Sequence, residues 1–271
     1  MIDGKIKMNE IKYLLKFGKR ENISSIAEGK LWFSTAETFH AIEDNLVRGQ
    51  GDKLEAGMFI PATKVQFTPH GTNNTTVLSG GSFNFNIFID PSKKTPVFCL
   101  FACFDKDVDA KGQIRLTQEI QNIIREHFPE ANAVAIIPNP YVFVENVKTS
   151  IHAMNGNSVD CRGDLVHYFN MYGLDAITSE GRPTKAVDME FLKFVTQGHE
   201  PKREGNRTEY ALRVSDAWRH LLCKDLFFKD EQEFRFILPQ EKINGGSLYE
   251  IDAPSDVQII DFDEFFGQME K

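Results

Sequence analysis

Glu231 and Glu233 stand two residues apart at the entrance of an alternating run, Glu233-Phe234-Arg235-Phe236-Ile237, in a chain of 271 residues. Alternate side chains of a strand share a face, so the run predicts Glu233 and Arg235 on one side and Phe234 and Phe236 on the other. Such a carboxylate has two uses. Fixed where positive charge develops, it stabilises a transition state more than a ground state. Paired with Arg235 or with a lysine on a neighbouring strand, it is an element of structure. A second concentration of charge, Arg48, Asp52 and Glu55, lies in a loop spaced by Gly49, Gly51 and Gly57. Arginine suits planar, multi-donor recognition of anions. Asp52 and Glu55 joined to Glu231 and Glu233 would instead make a carboxylate cluster for Mg²⁺, and a solvated, self-paired loop is the third reading.

The composition narrows the chemistry. With 31 Lys and Arg against 39 Asp and Glu, the net charge of −8 disfavours wrapping duplex DNA by charge alone. Lys202-Arg203 and Arg207, with Lys185, form a local basic cluster that could guide a phosphate backbone, although interleaved Glu residues fit a solvated loop equally. Cys99, Cys103, Cys161 and Cys223 make no C-x-x-C pair and suit free thiols in a reducing cytosol. The seven histidines form no H-E-x-x-H, and G-x-G-x-x-G, Walker and G-x-S-x-G patterns are missing. No resident metal is expected. The opening Met1-Ile2-Asp3-Gly4-Lys5 lacks a signal-peptide core, and no apolar run reaches membrane-helix length, so a cytoplasmic protein with no membrane partner is expected.

The elements that must position these residues follow from periodicity. Many of the 23 phenylalanines sit in alternating runs such as Phe83-Asn84-Phe85-Asn86-Ile87-Phe88, which read as sheet core. Strands are predicted at 12–17, 31–33, 58–67, 82–90, 95–104, 132–137, 164–172, 233–238 and 257–262. The nearly all-apolar 95–104 is placed centrally. Helices are predicted at 21–28, capped by Asn22 and closed by Gly29, after Ser34 or Thr35, at 114–128, 187–195 and 209–223, and in a short acidic tail. The 141–151 segment reads as helix or mixed structure, and 197–207 as an exposed, mobile linker. Strands outnumber neat strand–helix alternations and nothing forces a boundary, so 1–271 reads as one α+β domain.

The block from Leu14 to Leu31 (strand, Gly18, helix with Asn22 and Ile23, Gly29, strand) resembles the opening of the ADP-ribosyltransferase superfamily, particularly its poly-ADP-ribose polymerase and RNA phosphotransferase branches. The Glu231-x-Glu233 pair resembles the family's late Glu-x-Glu or Gln-x-Glu. A second similarity, to phage and mobile-element proteins, rests on Gly29-x-Leu31-x-Phe33-Ser34, Phe39, Glu43, the 48–57 loop and the late Gln232-Glu233-Phe234-Arg235. The resemblance implies a split, mostly antiparallel β-sheet core with flanking helices, and NAD as co-substrate. It implies that Glu233 is catalytic, its carboxylate accepting from the nicotinamide-ribose 2′-hydroxyl and stabilising the oxocarbenium-like cation, while Glu231 orients the nucleophile. Backbone groups at Phe17 and Gly18 would reach the nicotinamide amide, and Arg48 would contact the pyrophosphate. The family's ribose-binding histidine falls at Phe17, so either Lys16 or Tyr13 substitutes or NAD is held differently.

The expected function is therefore an NAD-dependent ADP-ribosyltransferase of toxin or phage-defence type. Its acceptor would be macromolecular, nucleic acid before protein, with an antitoxin or regulatory protein as a further partner. The alternatives are a metal-dependent nuclease or phosphodiesterase built on the carboxylates, and a non-catalytic binding protein on a decayed transferase fold.

Overall fold

The computed structural model describes residues 8–43, 57–67, 74–88, 90–154, 159–170, 190–196, 202–204, 207–209 and 213–269. In chain order its strands are β1 (Tyr13–Gly18), β2 (Lys30–Phe33), β3 (Gly57–Phe67), β4 (Thr76–Phe88), β5 (Val97–Cys103), β6 (Ala133–Ile137) and β7 (Arg162–Leu165). There follow β8 (His167–Phe169), β9 (Lys202–Glu204), β10 (Arg207–Glu209), β11 (Cys223–Asp225), β12 (Glu233–Ile237), β13 (Ser247–Glu250) and β14 (Gln258–Asp261). The helices are α1 (Arg20–Ile23), α2 (Ala36–Glu43), α3 (Asp90–Lys93), α4 (Gln118–His127), α5 (Pro140–Met154), α6 (Glu190–Val195) and α7 (Phe262–Gly267).

A six-stranded sheet of order β14-β6-β1-β5-β12-β7, antiparallel at every pairing, organises the α+β fold. The apolar β5 sits inside it as expected, because a strand covered on both faces needs apolar residues at every position. One face carries Leu15, Phe17, Phe101 and Val134 under Ile120 and Ile124 of α4 and the three phenylalanines of α7. The same face continues through Val97 and Ile237 to Leu221 and Leu222 of the 3₁₀ segment Val214–Leu222. The opposite face carries Leu14, Leu100, Phe234 and Phe236 under Phe143, Val144, Val147 and Ile151 of α5, with β2 and the α1 region joining the same core. Smaller pairings lie outside the sheet: the β3–β4 hairpin, β2 with β13, β9 with β10, and the parallel pair β8–β11.

Several local expectations are corrected. The first helix begins after Lys19 with no side-chain cap, and Asn22 lies inside it, while the chain continues as a 3₁₀ turn through Ile26. Gly29 closes that turn at φ +77°, and a Cβ there would stand 2.4 Å from the Ile251 carbonyl oxygen, so both conformation and space exclude a side chain. Thr35 caps α2, its hydroxyl accepting from Thr38 N. The 141–151 segment is fully helical. The 164–172 strand breaks at Val166 into β7 and β8, because Val166 N donates to the Glu233 carbonyl while β8 turns to pair with β11. The stretch read as a linker holds β9 and ends on the first residue of β10, its positions 197–201 and 205–206 lying outside the described residues. The two strands pair antiparallel with Arg207 opposite Glu204, so Glu209 belongs to a strand and not to a helix. Cross-strand backbone bonds override the polar, glycine-containing composition there.

Candidate functional site

Register fixes the geometry of the two sequence blocks. Leu15, Phe101 and Glu233 lie in one row across β1, β5 and β12. Both β1 and β12 run antiparallel to β5 and hence parallel to each other, so Gly18 ends its strand where β12 finishes, while Glu233 begins at the other end. Two inter-strand steps and three residues of rise separate their Cα positions by roughly 14 Å. Alternation puts Glu233 on the face of α4 and α7 and Gly18 on the face of α5. Neither cavity found among the described residues has both Gly18 and Glu233 in its wall.

Each N-terminal candidate has another employment. The Tyr13 hydroxyl donates to the Gly112 carbonyl at 2.6 Å. Lys16 Nζ donates to the Cys99 carbonyl at 2.8 Å and lies 5.1 Å from the Phe98 ring centroid. Phe17 is buried among Phe101, Phe128, Phe262 and Phe265, with centroids 5.7–6.2 Å away. At Gly18 a Cβ would come within 2.9 Å of Ile23 Cγ2, so packing of α1 accounts for the glycine without a ligand. Arg48, Asp52 and Glu55 lie outside the described residues, as does Lys185.

The C-terminal block is a buried ionic cluster. Arg235, 1% exposed, grips Glu233 through Nε–Oε1 and Nη2–Oε2 bonds, both 2.9 Å. Its Nη1 donates to the Leu221 carbonyl at 2.6 Å, tying the 3₁₀ segment to the sheet. Lys224 Nζ lies 3.2 Å from Glu233 Oε2 and 2.5 Å from Glu231 Oε2, and His127 Nδ1 lies 3.1 Å from Glu231 Oε1. Burial by itself raises the Glu233 carboxyl, but the charges of Arg235 and Lys224, with hydrogen bonds from Arg235 and Cys99, reverse this and hold it well below the usual carboxylate range. The Cys99 thiol is pushed up by burial and by the Glu233 charge, which keeps it a neutral donor.

The sequence anticipated the shared face of Glu233 and Arg235 and the possibility of their pairing. Burial of β12 along its whole length is not written in that alternation. Glu231 sits beside Glu233 as predicted, bridged to it by Lys224. The partners Lys224, His127 and Tyr168 were not singled out. Tyr168 and Lys224 face each other in the β8–β11 pair, a juxtaposition of positions 56 residues apart with no local pattern to mark it. His127 closes an amphipathic helix, and nothing local points it at Glu231.

At the mouth of β12 lies a cavity of about 480 Å³, lined among the described residues by Phe104, Val166, Tyr168, Lys229, Gln232 and Glu233, with others. Gln232, at φ 43° and ψ 47°, turns the chain from the preceding 3₁₀ segment into the strand, and its Nε2 donates to the Ala102 carbonyl and to Asp107 Oδ2. A smaller hollow of about 280 Å³ lies near α5 and Phe234, and Gly18 lines neither. Among the described residues no group of three or more His, Cys, Asp or Glu is placed to hold a metal ion, and no helix is long and apolar enough to cross a membrane. Compared with protein-family models, curated proteins and solved structures, the chain matches none.

Proposed function

We propose that the protein binds a small polar ligand in the cavity at the start of β12, acting as a binding or regulatory protein. The observation that carries this reading is the occupation of Glu233: both carboxylate oxygens already accept from Arg235, and one also meets Lys224. Its charge is compensated by Arg235 and Lys224, so the carboxylate serves to hold the cavity wall together. The cavity volume falls within the range of about 300–1,000 Å³ usual for small-molecule sites.

A second reading, NAD-dependent ADP-ribosyl transfer of toxin or phage-defence type to a nucleic acid or protein acceptor, is favoured by two features. Glu233 forms part of the cavity wall at a strand entrance, and β1 stays paired to β5 only from Tyr13–Cys103 to Leu15–Phe101. In this reading Glu233 stabilises the cationic sugar and Glu231 orients the acceptor. Metal-dependent phosphodiester cleavage has less support, because the Glu231 and Glu233 carboxylates face Lys224 and Arg235, where a divalent cation would be repelled.

Incubation of the protein with labelled NAD and bacterial lysate, followed by nuclease or protease digestion, separates the two. Binding without transfer predicts no incorporated label. Label incorporation that disappears in a folded Glu233→Gln variant, with folding followed by circular dichroism, overturns the binding reading in favour of the transferase.

A further inference from the structure

The wall of this cavity is asymmetric in donors and acceptors. The Tyr168 hydroxyl accepts from Glu233 N at 3.0 Å, which engages an oxygen lone pair and leaves the phenolic proton without an acceptor among the described residues. Burial and the Glu233 charge push the Tyr168 phenol up, so it stays a donor at every physiological pH. At the mouth stand Lys106 and Lys229, both exposed and without an acidic partner among the described residues. The acids in the wall are largely compensated: Glu233 by Arg235 and Lys224, and Asp105 by Lys12 at 3.0 Å, which leaves Glu10 at the rim. Phe104, Leu165 and Val166 supply apolar surface between.

We propose that the cavity takes a small ligand with an anionic oxygen, phosphate or carboxylate, which accepts a hydrogen bond from the Tyr168 hydroxyl while Lys106 and Lys229 complement its charge. The inference rests on the binding reading above and specifies the ligand's chemistry. A neutral acceptor meets the phenolic donor but leaves the two ammonium groups unused, and a cation is repelled by them. Charge-assisted hydrogen bonds of this kind are worth about 1.5–3 kcal/mol, or roughly a 10- to 100-fold change in affinity.

The test titrates the full chain with ribose 5-phosphate, succinate and uncharged ribose, following the methyl resonances of Leu165 and Val166. Saturable shifts with either anion, weakened about 10- to 100-fold in Tyr168→Phe and also weakened in Lys106→Glu and Lys229→Glu, are expected. The phosphate and carboxylate arms distinguish the two sources of the anionic oxygen. Because both lysines are exposed, their variants keep the test valid if Tyr168→Phe fails to fold. Ribose binding as tightly as ribose 5-phosphate, or anion binding indifferent to all three substitutions, overturns the anion assignment while leaving a ligand cavity. No saturable shift with any probe overturns the cavity reading itself.

Discussion

Replacing Arg235 by Met removes one charge from a cluster that is otherwise balanced, Arg235 and Lys224 against Glu233 and Glu231. It deletes two 2.9 Å bonds to Glu233 and the 2.6 Å bond to the Leu221 carbonyl. The change keeps most of the side-chain volume, so cavity formation contributes little. What remains is Glu233, buried with Lys224 as its facing cation and the Cys99 thiol as a neutral donor, and a carbonyl of the 3₁₀ segment without this donor. Breaking a buried pair by removing one partner costs about 3–5 kcal/mol, chiefly from the uncompensated charge left behind. With a urea dependence of about 3 kcal/mol per molar for a chain of this size, the midpoint should fall by about 1–1.7 M. The reciprocal variant, Glu233→Met with Arg235→Met, removes both charges and should recover much of the loss, because an apolar pair of similar volume is often no worse than the ion pair. Urea unfolding followed by circular dichroism at constant slope reads both. A single variant within about 1 kcal/mol of the parent, or a double variant no better than the single, would refute the assignment of Arg235 as the counter-charge that makes burial of Glu233 tolerable.

Two further outcomes test the frame around the cluster. His220 is 1% exposed, neither ring nitrogen meets the hydrogen-bond geometry with a partner among the described residues, and burial, only partly offset by the nearby Ala217 backbone, lowers it from 6.5 to about 4. The unfolded chain therefore takes up its proton first, and stability falls as pH drops from 6.5 toward 4, by about 3 kcal/mol at most. Glu233 acts with the same sign at lower pH, its stabilisation present above the unfolded carboxylate value and lost as acid protonates it. His220→Leu should flatten the upper window alone, and a pH series of unfolding midpoints unchanged by that substitution would contradict the burial of a neutral imidazole. Gly29→Ala should cost about 2–4 kcal/mol, from a left-handed backbone plus a Cβ pressed on the Ile251 carbonyl. A thermal midpoint unmoved by this change would mean that the turn into β2 is not held against Ile251 as described.

What the sequence determined by itself is what depends on near neighbours. Alternation along Glu233–Ile237 decides which residues share a face, the unbroken apolar run at Val97–Cys103 decides that this strand is central, and Gly29 decides where the first helical turn ends. Each is a consequence of backbone geometry within a few residues, so the pattern carries the information. Tertiary structure decided the rest. Gly18 and Glu233 sit at opposite ends and on opposite faces of the sheet because strand order and direction set their separation, and neither is written in the local pattern of either block. The same long-range pairing brings Tyr168 and Lys224 beside Glu233, through β8 and β11, from segments with no shared motif. A charge at a strand mouth reads as solvated from its neighbours alone. Only the covering of that strand on both faces, with Arg235 and Lys224 drawn in beside it, turns it into a buried group held in its ionised form.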